Sequence, residues 1–189
     1  MMRIITGRAR GTHLLTLEGE ATRPTSERAK EAIFSMLQFE LRGRRVLDLF
    51  AGSGQMALEA ISRGSASAVL VDASPKALDI IKKNVAKTHF EAECSVMCAD
   101  WADAVRRTDG RFGLVVLDPP YAQHLVAPAL QALIASDRLE DGAIIVCESG
   151  EEDAFGGDST LADRFTVRKR AKYGVAYVTI LEYKEGSHE

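Results

Sequence analysis

The stretch Leu114-Val115-Val116-Leu117-Asp118-Pro119-Pro120-Tyr121 marks the end of a strand in the middle of the chain. Its four apolar residues predict a strand that is buried on both faces. The two prolines cannot continue that strand, because proline lacks the backbone N–H that a sheet needs. The chain therefore leaves the sheet at Asp118, with a stiff turn behind it. In an open α/β sheet, this carboxyl-terminal edge is where ligands bind.

On both sides of this stretch, strand-like and helix-like segments alternate. Short apolar runs predict strands, and apolar residues at helical spacing predict helices. The predicted strands are 46–49, 68–71, 95–98, 114–117 and 143–147, and the predicted helices are 55–62, 74–87, a helix from Trp101, and 125–135. Such an alternation indicates a parallel sheet that is covered by helices on both faces.

The two ends of the chain depart from this alternation. Residues 165–172 and 175–183 predict two strands joined by a two-residue turn, which makes a terminal antiparallel hairpin. That hairpin is typical of the seven-stranded, Rossmann-like α/β fold of class I S-adenosylmethionine (SAM)-dependent methyltransferases. Dinucleotide-binding domains end instead on another helix and a parallel strand. At the other end, residues 3–6 and 12–17 predict a small β-hairpin and residues 26–39 predict a helix, as an N-terminal extension.

The loop Asp48-Leu49-Phe50-Ala51-Gly52-Ser53-Gly54 directly follows the first strand of the alternation. Together with Ala57, its two glycines fit the G-x-G-x-x-G/A pattern of NAD-binding loops. Asp48 argues against that ligand, because a carboxylate at the strand end would repel a pyrophosphate. The same carboxylate suits SAM, which has no phosphate and carries an ammonium and a cationic sulfonium.

Four predicted strand ends carry an acid, and all four belong to one edge of the sheet. Asp72 suits the ribose hydroxyls of SAM, and Asp100 suits the adenine amino group with Trp101 beside it. The preference of Asp for turns explains one or two such acids more readily than four in register. The predicted cofactor-binding residues are Asp48, Phe50, Ala51, Gly52, Ser53, Gly54, Asp72, Ala73, Asp100, Trp101 and Asp118.

Length and composition favour a single soluble domain. The chain has 189 residues, of which 46% are hydrophobic and 27% are charged, enough for one substantial core. We expect neither a membrane span nor a signal peptide, because no apolar run has the required length. The three cysteines fit no zinc or redox spacing and the four histidines are scattered. The sequence therefore predicts a cytoplasmic protein with reduced thiols and no metal site.

Charge is distributed unevenly along the chain. The formal net charge is −3, but residues 1–45 hold nine Lys/Arg against five Glu, whereas the remainder holds 15 Lys/Arg against 22 acids. This asymmetry predicts a local polyanion-binding face on an acidic body. A solvated surface would explain any one of the basic residues equally well.

Five segments together resemble the RsmD family of 16S ribosomal RNA guanine-N2 methyltransferases. They are 3–7, 22–34 with its R-P-T…R…E…F pattern, the glycine loop 48–54, 58–64 and 117–121. Segment 22–34 is the one that distinguishes the family from methyltransferases in general. The chain departs from the family in Gln55-Met56-Ala57, which replaces a small, Gly-containing stretch, and in Asp72, where Glu is commoner.

This resemblance implies methyl transfer from SAM to the exocyclic N2 of one guanine in 16S ribosomal RNA, within an assembled or assembling small subunit. It covers nearly the whole chain and implies one methyltransferase domain, 1–189. Residues 1–44 would form an RNA-contacting extension, and residues 45–189 the SAM-binding catalytic core. The candidate RNA-binding residues are Arg3, Arg8, Arg10, Arg23, Thr25, Arg28 and Lys30.

Asp118, Pro119, Pro120 and Tyr121 are the candidate catalytic residues. The Asp118 carboxylate and the Pro119 carbonyl can each accept a hydrogen bond from an exocyclic amine and aim its lone pair at the methyl donor. Tyr121 suits stacking on a base that has been turned out of its helix, although a turn aromatic that caps the core is the alternative. This chemistry alone does not separate guanine from adenine.

The residues leave three other functions open. A DNA or RNA adenine-N6 methyltransferase shares the Asp-Pro-Pro-Tyr chemistry, although this short chain has no target-recognition insertion. An NAD(P)-linked oxidoreductase rests on the glycine pattern. A non-catalytic RNA-binding assembly factor would use SAM only for its structure.

Overall fold

In the computed structural model, which describes residues 2–17 and 24–186 (backbone only for 24–26), strands and helices alternate as predicted. The strands are β1 (Arg45–Asp48), β2 (Ser67–Asp72), β3 (Cys94–Cys98), β4 (Phe112–Leu117), β5 (Leu139–Ser149), β6 (Phe165–Tyr173) and β7 (Ala176–Tyr183). The helices are α1 (Pro24–Leu37), α2 (Gln55–Ser62), α3 (Pro75–Thr88), α4 (Trp101–Arg107), α5 (Val126–Ala135) and the short α6 (Ser159–Ala162), with a 3-10 turn at Tyr121–Gln123.

The strands form one seven-stranded sheet in the order β3-β2-β1-β4-β5-β7-β6. The pairs among β1 to β5 are parallel, whereas β7 is antiparallel to both β5 and β6. The predicted seven-stranded sheet with a terminal antiparallel hairpin is confirmed. The carboxyl ends of β1 to β5 share one edge, and the acids after β1 to β4 lie there.

Helix α3 shows how the local sequence sets an element boundary. The Ser74 side chain accepts a hydrogen bond from the backbone N–H of Ala77 at 3.4 Å, and Pro75 occupies the first turn. Both residues are favoured at helix starts, because the first backbone N–H groups have no partner within the helix. The helix ends at Thr88, and the C-cap residue after it, His89, has a φ of 60° in the left-handed region.

The predicted N-terminal β-hairpin is formed only in part. Its two arms are joined by three backbone hydrogen bonds, in which Ile4 N–H donates to the Thr12 carbonyl at 3.0 Å, Gly11 N–H to the Ile4 carbonyl at 2.9 Å and Leu14 N–H to the Met2 carbonyl at 3.0 Å. Between 3–6 and 12–17, the described residues contain one isolated antiparallel bridge, Arg3 with His13, and no strand. The physical reason is a competing acceptor, since the backbone N–H groups of Ile5 and Thr6 donate to the Glu59 carboxylate at 2.8 and 3.1 Å. The segment 2–17, called the N-terminal segment below, is therefore fastened to α2 and does not form strands of its own.

The sheet separates two apolar layers, and the N-terminal segment belongs to one of them. Met2, Ile4 and Leu14 pack in the same cluster as Val46 of β1 and residues of α1, α2 and α3. Alternate strand residues, such as Leu47, pack in the other cluster with α4 and α5. The N-terminal segment thus covers the same face of the sheet as α1, α2 and α3.

One contact between the N-terminal segment and α2 requires glycine. Gly7 has a φ of +92°, and a Cβ built on it would lie 1.9 Å from the carbonyl oxygen of Ser62. The same carbonyl accepts the Arg8 N–H at 2.9 Å, and Ser62 Oγ accepts the Ala9 N–H at 3.0 Å. A side chain at position 7 would force these backbones apart.

Candidate cofactor and target-base site

A cavity of about 1050 Å³ opens at the carboxyl edge of the sheet. Most of its lining comes from the loops after β1 to β4, the tip of the β6–β7 hairpin and the N-terminal segment, with single residues from α1, α3 and β5. Among the lining residues are all the predicted cofactor-binding residues except Gly54, together with Asp118, Pro119, Pro120 and Tyr121. The structure therefore brings the two predicted sets of site residues to one cavity.

The glycine loop makes a tight turn from β1 into α2. Gly52 has a φ of 56°, and Gly54, the N-cap of α2, has a φ of 82°. A Cβ on Gly54 would lie 2.9 Å from Leu70 Cδ2, so glycine lets the loop pack against β2. Gly54 thus supports the turn of the loop and does not itself line the cavity. The predicted role of Phe50, Ala51 and Ser53 as cofactor contacts stays a prediction, although all three line the cavity.

Asp48, the acid of this loop, has a strongly raised pKa. It is only 2% exposed, and burial raises the pKa of its carboxyl to about 7. The N–H groups of Phe50 and Ala57 oppose that rise in pKa, and the negative charge of Asp72 adds to it. Asp48 Oδ1 has no hydrogen-bond partner among the described residues. A cation in the cavity would satisfy this oxygen and favour the ionised carboxylate.

Asp72, at the end of β2, ties the glycine loop to the start of α3. Its Oδ2 accepts the Gly52 N–H at 2.9 Å, and its Oδ1 accepts the Ser74 N–H at 2.9 Å. Each carboxylate oxygen has a second lone pair, so the half-buried side chain can also accept from the hydroxyls of a ribose.

Asp100 follows β3 and caps α4. Its Oδ1 accepts the Ala102 N–H at 2.9 Å, which stabilises the first turn of the helix. Asp100 is exposed and Trp101 is half-buried, and both line the cavity. Their predicted contact with an adenine stays a prediction that this position allows.

The Asp118-Pro119-Pro120-Tyr121 turn lies beside the end of β5. Asp118 is exposed at the cavity and Pro119 is buried beneath it. The half-buried Tyr121 donates its hydroxyl to Glu148 Oε1 at 2.5 Å. Its ring lies against the backbone of Gly150, where an added Cβ would meet Tyr121 Cβ at 3.3 Å. Tyr121 is therefore held at the cavity wall by both its ring and its hydroxyl.

The structure corrects one of the candidate RNA-binding residues. Lys30 is only 4% exposed, and its Nζ donates to the Arg3 carbonyl and to Gln55 Oε1, both at 3.2 Å. Burial lowers the pKa of Lys30, an effect that the nearby carboxylate of Glu59 opposes. The prediction of a phosphate contact at Lys30 is therefore wrong, because the ammonium faces protein groups in the interior.

The other basic candidates have varied surroundings. Arg3, Arg10 and Arg28 are exposed. Arg8 is also exposed, stacks over the Phe90 ring and pairs with Glu93 at 2.8 Å. Two further candidates cannot be placed: Arg23 lies outside the described residues, and so does the side chain of Thr25.

Several residues of the site were missed from the sequence. Met2 and Leu17 line the cavity from the N-terminal segment, and Glu148 lines it from β5. Asn84 of α3 is fully buried, accepts the Leu15 N–H at 2.8 Å and donates to the carbonyls of Leu15 and Ser53. A polar residue on the apolar face of α3 was the available signal for Asn84. The other contacts join parts of the chain that local patterns cannot connect.

The described residues contain neither a metal-binding cluster nor a membrane-spanning helix. In residues 2–17 and 24–186, no three His, Cys, Asp or Glu side chains are grouped as a metal site requires. Within the same ranges, every helix is too short or too polar to cross a membrane.

Comparison with known proteins gives matches along almost the whole chain. Residues 2–182 match the family model described as "Conserved hypothetical protein 95". The chain is 34% identical over 182 residues to the Bacillus subtilis protein named "Putative rRNA methyltransferase YlbH", covering 95% of this chain and 97% of the relative. It is 31% identical over 154 residues to "Ribosomal RNA small subunit methyltransferase D" of Escherichia coli, covering 82% of this chain and 77% of the relative.

The fold matches as well. The solved structure titled "Putative methyltransferase yhhF from Escherichia coli" superposes with a TM-score of 0.85 at 25% identity, covering 98% of this chain and 99% of the other. The predicted methyltransferase class and the predicted SAM cofactor are confirmed at the level of the family, and the alternatives outside that class are not favoured. The chain belongs to the RsmD family of SAM-dependent methyltransferases.

Proposed function

We propose that this protein methylates the exocyclic N2 of one guanine in small-subunit ribosomal RNA. The observation that carries the proposal is the single cavity that holds both the glycine loop and the Asp118-Pro119 turn. The names of two relatives, an rRNA methyltransferase of Bacillus subtilis and a small-subunit methyltransferase of Escherichia coli, support the ribosomal substrate. The reaction belongs in the cytoplasm, on an assembled or assembling small subunit.

The residues of the cavity fit SAM. Asp48 Oδ1 is a buried acceptor without a partner among the described residues, which suits a cationic group of the cofactor. The half-buried Asp72 has lone pairs for a ribose diol, and Asp100 with Trp101 lies next along the edge for an adenine. When bound, SAM supplies an activated methyl group on a sulfonium.

Asp118 and the Pro119 carbonyl act on the guanine amine. The lone pair of this nitrogen is delocalised into the ring, which makes the amine a poor nucleophile. Two acceptors that take its N–H hydrogens favour a pyramidal nitrogen whose lone pair points away from them. The Asp118 carboxylate stabilises the positive charge that develops on the nitrogen, and it or water takes the proton that is then lost.

Tyr121 holds the base while the amine reacts. A guanine inside a duplex cannot reach this cavity, so the base must be turned out and stacked on a flat surface. Stacking on an aromatic ring contributes about 1–3 kcal/mol per base. The hydroxyl bond to Glu148 keeps the Tyr121 ring in one orientation at the wall.

RNA contacts come from the exposed arginines of the N-terminal region. Arg3, Arg8, Arg10 and Arg28 are the candidates among the described residues that stay in the proposal. Arg23 and Thr25 remain candidates from the sequence alone. These contacts give affinity and orientation, and the cavity selects the base.

Substitution of Asp118 tests the chemistry. We expect Asp118→Ala to lower the rate of methyl transfer to small subunits by about 10²- to 10³-fold, because a group that stabilises transition-state charge is lost. Binding of S-adenosylhomocysteine should change little. The substrate is small subunits from cells that lack this protein, and mass mapping of the rRNA identifies the methylated nucleotide.

The matched control is Asp109→Ala, an exposed acid just before β4, at the opposite edge of the sheet. It should leave the rate unchanged. Full activity of Asp118→Ala would remove Asp118 from the mechanism. A product methylated on adenine N6 would replace the guanine proposal with the adenine alternative.

A further inference from the structure

Glu148 is an acid of the cavity that the chemistry above leaves without a direct role. It lies near the end of β5, is half-buried and lines the same cavity as Asp118 and Pro119. Its Oε1 accepts the Tyr121 hydroxyl at 2.5 Å. A carboxylate that is fixed in this way has one oxygen committed to Tyr121, and Oε2 keeps its own lone pairs.

The sheet register sets Glu148 beside the catalytic turn. Leu117 of β4 pairs with Cys147 of β5. The next residues, Asp118 and Glu148, therefore lie at the same level along these two neighbouring strands. Within β5, Val146 and Cys147 pack in opposite layers, which puts Glu148 on the Val146 side of the sheet. Asp48 lies on that side too, because it is two residues from Val46 in β1.

Two acceptors at this level match the hydrogen-bonding edge of guanine. That edge presents two adjacent donors, the ring N1–H and the exocyclic N2 amine. If Asp118 and the Pro119 carbonyl accept from N2, the neighbouring acceptor in β5 is next to N1. We propose that Glu148 accepts the N1–H of the target guanine and thereby selects guanine, with Tyr121 as the residue that positions its carboxylate. This inference rests on the proposed function and deepens it.

The same geometry rejects adenine. The ring N1 of adenine carries a lone pair and no hydrogen, so it would face the lone pairs of Glu148 without a donor between them. A site built to bond a donor discriminates strongly against a base that lacks it, because the polar groups on both sides stay unpaired. The turn at residues 118–121 thus binds the exocyclic amine, whereas Glu148 distinguishes guanine from adenine at ring N1.

A purely structural role for Glu148 makes a different prediction. If the carboxylate served only to hold Tyr121, its loss would weaken the stacking of every base alike. Selectivity between two bases that share the reactive N2 amine would then stay constant. The ratio of rates on two such bases is therefore the informative measurement.

The test uses reconstituted small subunits that carry either guanine or 2,6-diaminopurine at the methylated position. Both bases offer an N2 amine, but only guanine has an N1–H. The wild-type protein should favour guanine by about 10- to 100-fold in kcat/KM, the effect of one hydrogen bond to a charged group. Glu148→Gln should reduce this preference about tenfold or more, because its amide can donate to N1 of diaminopurine.

Two further variants complete the design. Glu182→Gln makes the same change in β7, where Glu182 pairs with Ile144 far from the cavity edge, and should keep the wild-type preference. Tyr121→Phe leaves the carboxylate in place and removes the hydroxyl that orients it, so the preference should fall by a smaller factor. Binding of S-adenosylhomocysteine reports that each variant is folded, and Tyr121→Phe carries the test if Glu148→Gln does not fold.

The outcomes separate the two proposals. Methylation of the guanine subunit with the same preference in wild type, Glu148→Gln and Tyr121→Phe would overturn the role of Glu148 alone. Failure of the wild type to methylate the guanine subunit would overturn the proposed function, and the inference with it. A reduced preference in Glu148→Gln, with the Glu182→Gln control unchanged, supports the inference.

Discussion

At the scale of one residue, the buried carboxyl of Asp48 lowers the stability of the folded protein when it is ionised. A buried carboxyl with a pKa of about 7 holds its proton more tightly in the folded protein than in the unfolded chain, where the value is 3.8. Between these two pH values the folded state binds more protons, so the free energy of unfolding falls as pH rises. Above pH 7 this loss of stability is complete in the cofactor-free protein.

Asp48→Asn should remove this component, because an amide does not titrate. We expect the difference in unfolding free energy between variant and wild type to shift in favour of the variant by roughly 2–3 kcal/mol from pH 5 to pH 8. Urea denaturation of the cofactor-free proteins at both pH values measures it. Parallel pH profiles for the two proteins would show that Asp48 is ionised without cost.

At the scale of elements, Glu59 connects three parts of the chain: the N-terminal segment, α2 and, through Arg63, α1. It is fully buried in α2, accepts two backbone N–H groups of the N-terminal segment and pairs with Arg63 at 2.8 Å. Arg63 in turn donates to the Phe34 carbonyl of α1 and lies over the Phe34 ring. The carboxylate thus links the N-terminal segment, α1 and α2 through charge-assisted hydrogen bonds.

Glu59→Gln should therefore lower the free energy of unfolding by about 3–5 kcal/mol, since it leaves the Arg63 side chain, which is 9% exposed, without its counter-charge. Hydrogen exchange at Ile5 and Thr6 should quicken more than exchange in the β4–β5 core. The matched control is Glu93→Gln, which breaks the exposed pair with Arg8 and should cost less than about 1 kcal/mol. Equal effects of the two substitutions on urea denaturation would argue against Glu59 as the link.

At the scale of the whole molecule, the positive charge of residues 1–45 divides into two groups. Arg44 and Arg45 donate to backbone carbonyls of neighbouring segments, and Lys30 is buried. The exposed arginines remain at the surface of the same region, with Arg3 and Arg10 on the N-terminal segment. Among the described residues of this region, the second group is the one that is available to a polyanion-binding face.

The salt dependence of RNA binding checks this division. Arg3→Ala and Arg10→Ala should each reduce the slope of log affinity against log salt concentration by about one, with a uniform loss of affinity across sequences. Arg106→Ala is the control, because α4 packs in the opposite apolar layer from the N-terminal segment. Filter binding from 50 to 200 mM salt, a range typical of such tests, measures the slopes. An equal reduction in all three variants would indicate diffuse charge rather than a face.

Features that depend on local sequence patterns were predicted, whereas those that depend on contacts between residues far apart in the sequence were not. Strand and helix positions depend on local patterns, so the sheet and the acids Asp48, Asp72, Asp100 and Asp118 at its edge were predicted correctly. The burial of Lys30 and the bond between Tyr121 and Glu148 depend on pairs 25 to 27 residues apart. No local pattern encodes such pairs. The predicted hairpin of residues 3–17 forms only in part for the same reason, because the acceptor that takes two of its N–H groups, Glu59, is more than 50 residues away.

The contacts of the N-terminal segment can form only after later parts of the chain have been synthesised. Residues 5 and 6 bond to Glu59, and Leu15 bonds to Asn84, which lies 69 residues later. This segment is synthesised before α2 and α3, so these bonds form only after both helices have emerged. Met2 and Leu17 form part of the cavity wall, so the wall is complete only after the N-terminal segment has docked on α2 and α3. We therefore expect the cavity proposed for the methyl donor to be completed late in folding, by a segment that is made before the helices on which it docks.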